Sequence, residues 1–267
     1  MPWQARCRAA GAGARTTQPR VAICDHGPPV PLTPQGGSTT SLATDLMQSD
    51  PRDRDLVANA TAESRVWDQH QYYDSAEPYM EQQWQGTIQP FIADCDFSVV
   101  VDLAAGHGRN SRKLLERAGQ LWIVDVVQSN LDFCRQRFGA NPKISYAKTS
   151  GFELTAIPDA SISLVYCWDA MVHFDSDIVR AYLAEFRRIL KKGGRAFCHH
   201  SNWTGNPGGF ESKGGKGVGP ERRNFMSKEL YAHYAIKEGL EIVRQQTLDW
   251  NTKNLDCVSL VARPAND

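Results

Sequence analysis

The sequence predicts an α/β fold, a mainly parallel sheet with helices on both faces, and three observations carry that expectation. From Ser98 onward, short apolar strand patterns alternate with helical ones. The segment Val99–Gly119, VVVDLAAGHGRNSRKLLERAG, reads as a buried strand, a glycine-containing turn and a helix. The last two strand patterns, Ile242–Leu248 and Asp256–Ala262, are too close for a crossover helix and must pair as an antiparallel hairpin.

Taken in order, residues 1–46 are rich in Gly, Pro, Thr, Ala and Arg and lack periodic hydrophobicity. Such a stretch cannot bury enough apolar surface to offset its ordering entropy, so a disordered N-terminal extension is expected. Its first 24 residues hold four arginines and no acid, a feature of transit peptides, but no apolar run of a secretory signal. Composition favours plain disorder over targeting. Residues 47–94 form an expected helical cap, rich in aromatics from Trp67 to Phe91, with two short helices split near Pro78 and a stop at Pro90.

Residues 95–267 form the main domain. Strand 1 is expected at Ser98–Leu103 and its helix at Asn110–Arg117; strand 2 at Leu121–Val126 and its helix at Asn130–Phe138. Strand 3 is read at Ile144–Ala147, strand 4 at Ser163–Trp168, a long amphipathic helix at Asp177–Leu190 and strand 5 at Arg195–His199. A glycine-rich loop, Trp203–Gly219, precedes a helix at Lys228–Glu238 and the closing hairpin. That loop has two readings, a lid over a site or a surface insertion.

Composition narrows the function. Lysine plus arginine equals aspartate plus glutamate, 30 each, which argues against nucleic acid as the main partner. No apolar run approaches the ~20 residues that span a bilayer, so no membrane partner is expected. The seven cysteines are scattered without a C-x-x-C pair, which suits a reducing cytoplasm rather than a disulfide framework or a zinc knuckle.

The glycine turn admits two nucleotide cofactors. A dinucleotide turn wants G-x-G-x-x-G for a pyrophosphate. Here Ala104 stands at the first glycine, the third is missing, and the acid Asp102 ends the approach. An acid repels phosphate but suits a ligand bearing an ammonium group. The pattern D-x-A-x-G-x-G resembles motif I of class I S-adenosylmethionine-dependent methyltransferases. The five β-α units and the terminal hairpin are also similar to that family, over about residues 95–263.

The resemblance implies a Rossmann-like seven-stranded sheet of order 3-2-1-4-5-7-6 with strand 7 antiparallel. It makes 95–267 a methyltransferase catalytic domain with S-adenosyl-L-methionine as cofactor. It also implies that Asp102 helps hold the methionine amino group. Asp125, at the tip of the apolar run LWIVDV, suits both ribose hydroxyls. The family's acid before the counterpart of Gly151 is replaced here by Thr149 and Ser150, so adenine contacts fall to Ser150, Gly151 and Phe152. The expected cofactor set is Asp102, Ala104, Gly106, Gly108, Asn110, Asp125, Val126, Ser150, Gly151, Phe152 and Trp168. Trp168 has two readings, core packing or cofactor wall. Tyr72 and Tyr73 of the cap are candidate cofactor contacts, although packing onto the sheet explains each one alone.

Methyl transfer to a hydroxyl needs a base, and histidine is the usual one at neutral pH. His173 follows strand 4 in WDAMVHFD; His199 and His200 close strand 5 in FCHHSNW. Neighbouring strand residues face opposite ways, so His199 and His200 cannot act together, and the sequence leaves open which one faces a ligand. Asp169 and His173 at i, i+4 could contribute to a divalent site, but carboxylates are too few and no metal is expected. The missing [ND]-P-P-[YFW] after strand 4 argues against nucleic-acid amino-methylation. The reading is O-methylation of a small-molecule acceptor. A non-catalytic cofactor-binding domain and an NAD-dependent oxidoreductase are the alternatives.

Overall fold

The computed structural model describes residues 51–68, 71–206, 223–250 and 252–266. The extension expected over 1–46 and most of the glycine-rich loop lie outside the described residues. Seven strands form one sheet in the order β3-β2-β1-β4-β5-β7-β6. They are β1 Val99–Leu103, β2 Gln120–Asp125, β3 Ile144–Lys148, β4 Ile162–Met171, β5 Leu190–Ser201, β6 Glu241–Trp250 and β7 Thr252–Ala262. β7 is antiparallel to both β5 and β6, and the other pairs are parallel.

The helices are α1 Pro51–Trp67, α2 Tyr72–Ala76, α3 Met80–Gln83, α4 Gln89–Ile92, α5 Arg109–Leu115, α6 Gln128–Phe138, α7 Ser176–Ile189 and α8 Lys228–Lys237. Local chemistry starts several of them. Asp175 caps α7 by accepting from Asp177 N, and Ser227 caps α8 by accepting from Leu230 N. In α7 the buried residues Ile178, Val179, Tyr182, Leu183, Phe186 and Ile189 form one apolar stripe.

Strand alternation divides the core in two. Val101, Val165, Cys167 and Cys198 face α7, with Leu56 and Ala60 of α1 on the same side. Val100, Leu164, Tyr166 and Phe197 face the other way, against Met80, Trp84, Ile88 and Phe91. The helices of this N-terminal segment therefore reach both faces of the sheet.

Several boundaries differ from the sequence expectation, β7 among them, which starts at Thr252 rather than Asp256. Pro90 does not stop the helix: a π-helical turn at Trp84–Ile88 precedes it, Pro90 falls in the first turn of α4, and the helix continues to Ile92. A first-turn proline needs no N–H partner, so the expected break does not occur. β4 runs to Met171 rather than Trp168, through a register shift between Cys167 and Met171 where Asp169 takes a left-handed φ of 59°. β5 starts at Leu190, because pairing of Ile162 with Leu190 recruits residues that read as the end of a helix.

Candidate active site

The turn after β1 is shaped by positive φ at three positions: Ala104 (57°), Gly106 (55°) and Gly108 (75°). At Gly108 a Cβ would fall 2.8 Å from the Phe138 ring, so only glycine permits both this backbone and this packing. Asp125 holds the turn from the end of β2. Its Oδ2 accepts from Gly106 N (2.9 Å), and its Oδ1 accepts from Val127 N (2.8 Å) and Asn130 Nδ2 (3.1 Å). Burial raises the Asp125 pKa, with the N–H donors opposing that rise.

Asp102 lies elsewhere than expected. It is 1% exposed, beneath the turn, and Ser111 Oγ donates to its Oδ2 at 2.6 Å. Sealed there, it lines none of the clefts described below. Burial pushes its carboxyl up to about 7. The sign follows from linkage. Between an unfolded pKa of ~4 and the folded value, the native state binds the extra proton, so stability falls as pH rises through that window. Asp102→Asn keeps an acceptor for Ser111 and removes the titration. It is expected to raise stability at pH 8 by roughly 3 kcal/mol and to change little at pH 4, read from urea unfolding at the two pH values.

Three small clefts lie in a row over the strand ends. The first is lined by Trp67, Tyr72, Tyr73, Ala104, Asp169 and His173 among others. The second shares Tyr72, Tyr73, Ala104 and Asp169 with it and adds Gly106, Arg109, Asn110 and Trp168. The third is lined by Val126, Gly151 and Tyr182, with Ala60 and Trp67 of α1 as its roof. Between the first two sits a charged group. Arg109 Nη2 donates to Asp169 Oδ2 at 2.6 Å, Arg109 Nη1 donates to Ala76 O at 2.9 Å, and the Tyr72 hydroxyl donates to the same Asp169 oxygen.

The three candidate histidines separate. His173 is 3% exposed, lines the first cleft and has its ring 4.9 Å from Trp67. His199 is fully buried beside Trp168, and its Nδ1 accepts from Asp169 N at 3.2 Å. That contact puts the proton on Nε2, which stands 3.3 Å from Asp256 Oδ2. Asp256 is also held by Arg223, at 2.6 and 2.9 Å. Burial pushes the Asp256 carboxyl up, but His199 and Arg223 outweigh it, and its pKa is lowered. With both ring nitrogens facing protein groups, His199 positions the left-handed turn at Asp169. His200 points to the opposite face. Its nitrogens meet Ser201 O (2.8 Å) and Ser259 Oγ (2.7 Å), its ring stacks on Tyr231, and burial pushes its pKa down to about 3. It has no route to a cleft.

The remaining expected residues also divide. Trp168 both packs on Phe197 and lines the second cleft, its Nε1 donating to Gln83 Oε1 at 3.2 Å. Asn110 lines the same cleft and accepts from the Tyr166 hydroxyl at 3.0 Å. Ser150 is exposed, and Phe152 belongs to the apolar core, so of the adenine trio Gly151 alone faces a cleft. Sequence reasoning gave no role to Arg109, Asp256 or Trp67. Arg109 carried a signal, since a cation in the first turn opposes the helix dipole and needs an anionic partner. Asp256 carried another, as an acid at the start of an otherwise apolar strand.

A glycine turn after β1, a buried acid ending β2 and a sheet closed by an antiparallel hairpin define the class I methyltransferase fold. Residues 100–194 match the family model described as "Methyltransferase domain". YqeM of Bacillus subtilis (strain 168), which carries a methyltransferase name, is 24% identical over 106 residues, 39% of this chain and 43% of that protein. The chain thus spans less than half the length of that curated relative. An S-adenosylmethionine-dependent methyltransferase from Clostridium acetobutylicum ATCC 824 superposes with a TM-score of 0.56 at 17% identity, covering 73% of this chain and 100% of the other. Geranyl diphosphate C-methyltransferase of Streptomyces coelicolor A3(2), solved with Mg2+, geranyl diphosphate and S-adenosyl-L-homocysteine, gives 0.55 at 15% identity, covering 73% and 85%. S-adenosylmethionine is the cofactor of this family. Its chemistry fits the residues present: a hydroxyl acceptor at Asp125, bare backbone at Gly106, and opposite charges at Asp169 and Arg109 for an amino-acid end.

Proposed function

We propose that this chain transfers the methyl group of S-adenosylmethionine to an oxygen of a small-molecule acceptor, with His173 as the general base. The observation that carries this reading is the sorting of the histidines. His200 is sealed in the core, His199 is tied to Asp169 and Asp256, and His173 lines a cleft next to Asp169.

The bound cofactor supplies an electrophilic methyl carbon on a sulfonium. The chain's own residues do the rest. Asp125, Gly106, Ala104, Gly108, Asn110 and Val126 form the cofactor wall, with Gly151 and Trp168 at its two ends. Asp169 would hold the ammonium of the amino-acid end, the role the sequence reading gave to Asp102, and Arg109 its carboxylate. Trp67, Trp168 and Phe174 exclude water and orient an acceptor of modest size. His173 would take the acceptor's proton on an imidazole nitrogen as the new O–C bond forms and the methyl–sulfur bond of the sulfonium breaks, leaving S-adenosylhomocysteine.

The small-molecule reading is supported by the aromatic walls and the narrowness of the clefts, and by balanced charge, which disfavours nucleic acid. The described cysteines are free, which supports a reducing, cytoplasmic setting. No described helix is long and apolar enough to cross a membrane.

Acceptor profiling with methyl-labelled cofactor, followed by His173→Gln, tests the assignment. Turnover is expected to fall about 10²–10⁴-fold while affinity for S-adenosylhomocysteine stays within about twofold. Unchanged turnover rejects His173 as the base. Failure of any acceptor to take up label, with cofactor bound, favours a cofactor-binding domain without catalysis.

A further inference from the structure

Tyr73 lies where the turn after β1 is barest. A Cβ built on Gly106 would fall 2.5 Å from Tyr73 Cε1 and 2.9 Å from Cδ1, so the ring rests directly on the glycine backbone. Asn130 Nδ2 donates to the Tyr73 hydroxyl at 3.0 Å, and the same amide nitrogen donates to Asp125 Oδ1. The ring also packs 4.4 Å from His107. Tyr73 thus covers Gly106 and the Asn130–Asp125 pair together.

The clefts on either side share Tyr72 and Tyr73 as walls, and their volumes are only about 60 and 40 Å³. Small-molecule sites occupy roughly 300–1,000 Å³. Tyr73 stands with Tyr72 and the Asp169–Arg109 pair between the two clefts, where together they interrupt a groove across the strand ends.

The segment bearing Tyr73 is fastened to the domain by polar contacts rather than by a continuous apolar face. Tyr72 donates to Asp169, Arg109 reaches Ala76 O at 2.9 Å, and Arg137 Nη1 bonds Glu77 Oε2 at 3.1 Å. Polar ties of this kind can exchange for water when a segment swings outward. The closed arrangement also leaves a buried acceptor unsatisfied: Asn130 is 1% exposed, and its Oδ1 has no hydrogen-bond partner among the described residues. A ligand with hydroxyl groups can satisfy that amide and gives the differential interaction an opening requires.

We propose that Tyr73 is a built-in competitor of the cofactor: its ring occupies the groove over Gly106, and α2 must move outward for the cofactor's ribose to reach Asp125. The proposal rests on the reading of Gly106 and Asp125 as the ribose site. It makes α2 a gate whose closed population lowers the apparent cofactor affinity by the fraction of molecules that are open.

Calorimetric titration of the full chain with S-adenosylhomocysteine tests it. Tyr73→Ala removes the ring and is expected to bind about tenfold more tightly than the wild type, as for a gate about 10% open. Tyr73→Phe keeps the ring and should stay within about twofold of the wild type. Weaker binding by Tyr73→Ala overturns the proposal and makes Tyr73 a cofactor contact. Hydrogen exchange on the wild-type chain gives a readout that needs no variant. Amides of 72–76 should exchange faster with S-adenosylhomocysteine bound, and protection there overturns the gate. If neither wild type nor variant binds, the ribose-site reading itself fails, and the gate falls with it.

Discussion

Arg223→Ala is expected to cost about 3–5 kcal/mol of folding free energy, because it strips a buried carboxylate of its strongest partner. Arg223 is 2% exposed and Asp256 is fully buried in β7, joined by two contacts of 2.6 and 2.9 Å. Among the described residues, the side chain that remains beside Asp256 is His199, with Nε2 at 3.3 Å. The measurement is the urea midpoint of variant and wild type at pH 7. A loss under about 1 kcal/mol, the range of a surface ion pair, would contradict the buried network. Removing both partners in Arg223→Ala/Asp256→Ala should cost less than the sum of the single changes, since no lone charge is then left inside.

The pH dependence has a defined sign. The folded pKa of Asp256 lies below its unfolded value, so its stabilisation is present above the unfolded pKa and is lost as pH falls through the folded one. The gap between Arg223→Ala and wild type should therefore narrow in acid. The damage also reaches the site, because His199 holds the Asp169 N–H and with it the left-handed turn that aims Asp169 at Arg109.

Asp125→Ala is expected to abolish measurable cofactor binding, a loss of about 100-fold or more, and to cost on the order of 3 kcal/mol of stability. The stability loss follows from three N–H donors, those of Gly106, Val127 and Asn130, losing one acceptor group. Asp125→Asn separates the two roles. It preserves the side-chain shape and one oxygen acceptor, so about half the stability loss is expected, while the anionic acceptor for hydroxyls is gone. If Asp125→Asn binds S-adenosylhomocysteine as the wild type does, Asp125 organises the turn without touching a ligand.

Much of the architecture was legible because it is written in local periodicity. Alternating strand and helix patterns and a closing pair too short for a crossover pointed to a mainly parallel sheet ending in an antiparallel hairpin, and the strand order implied by the family resemblance is the one observed. The misplaced boundaries share one cause. Whether β4 continues past Trp168 or β5 begins at Leu190 depends on the neighbouring strand that supplies hydrogen bonds, and a window of adjacent residues does not contain that information. Pro90 misled for a related reason: proline forbids helix interiors but not first turns, and the π turn before it is not a pattern of residue types.

The site divides along the same line. The glycine turn and Asp125 are adjacent to the strands that place them, so the hydrogen-bonded turn that they form was legible in one dimension. Asp102 stands two residues before Ala104 in that motif, yet the register of β1 between β2 and β4 buries it under Ser111. Alternation established that His199 and His200 face opposite ways. Only the packing of Tyr231 on one face and of Trp168 on the other decided which is sealed in the core and which supports Asp169. Arg223, Asp256 and His199 lie far apart in the chain, and Tyr73 lies 33 residues from the Gly106 it covers; contacts of this kind arise from sheet order and layer packing. Residue type and spacing along the chain settled the fold class, because those properties repeat within each element, and the resemblance carried by the glycine turn implied the cofactor. Charge pairing, burial and the closure of the groove were settled by the folded chain, because each depends on side chains that meet across elements.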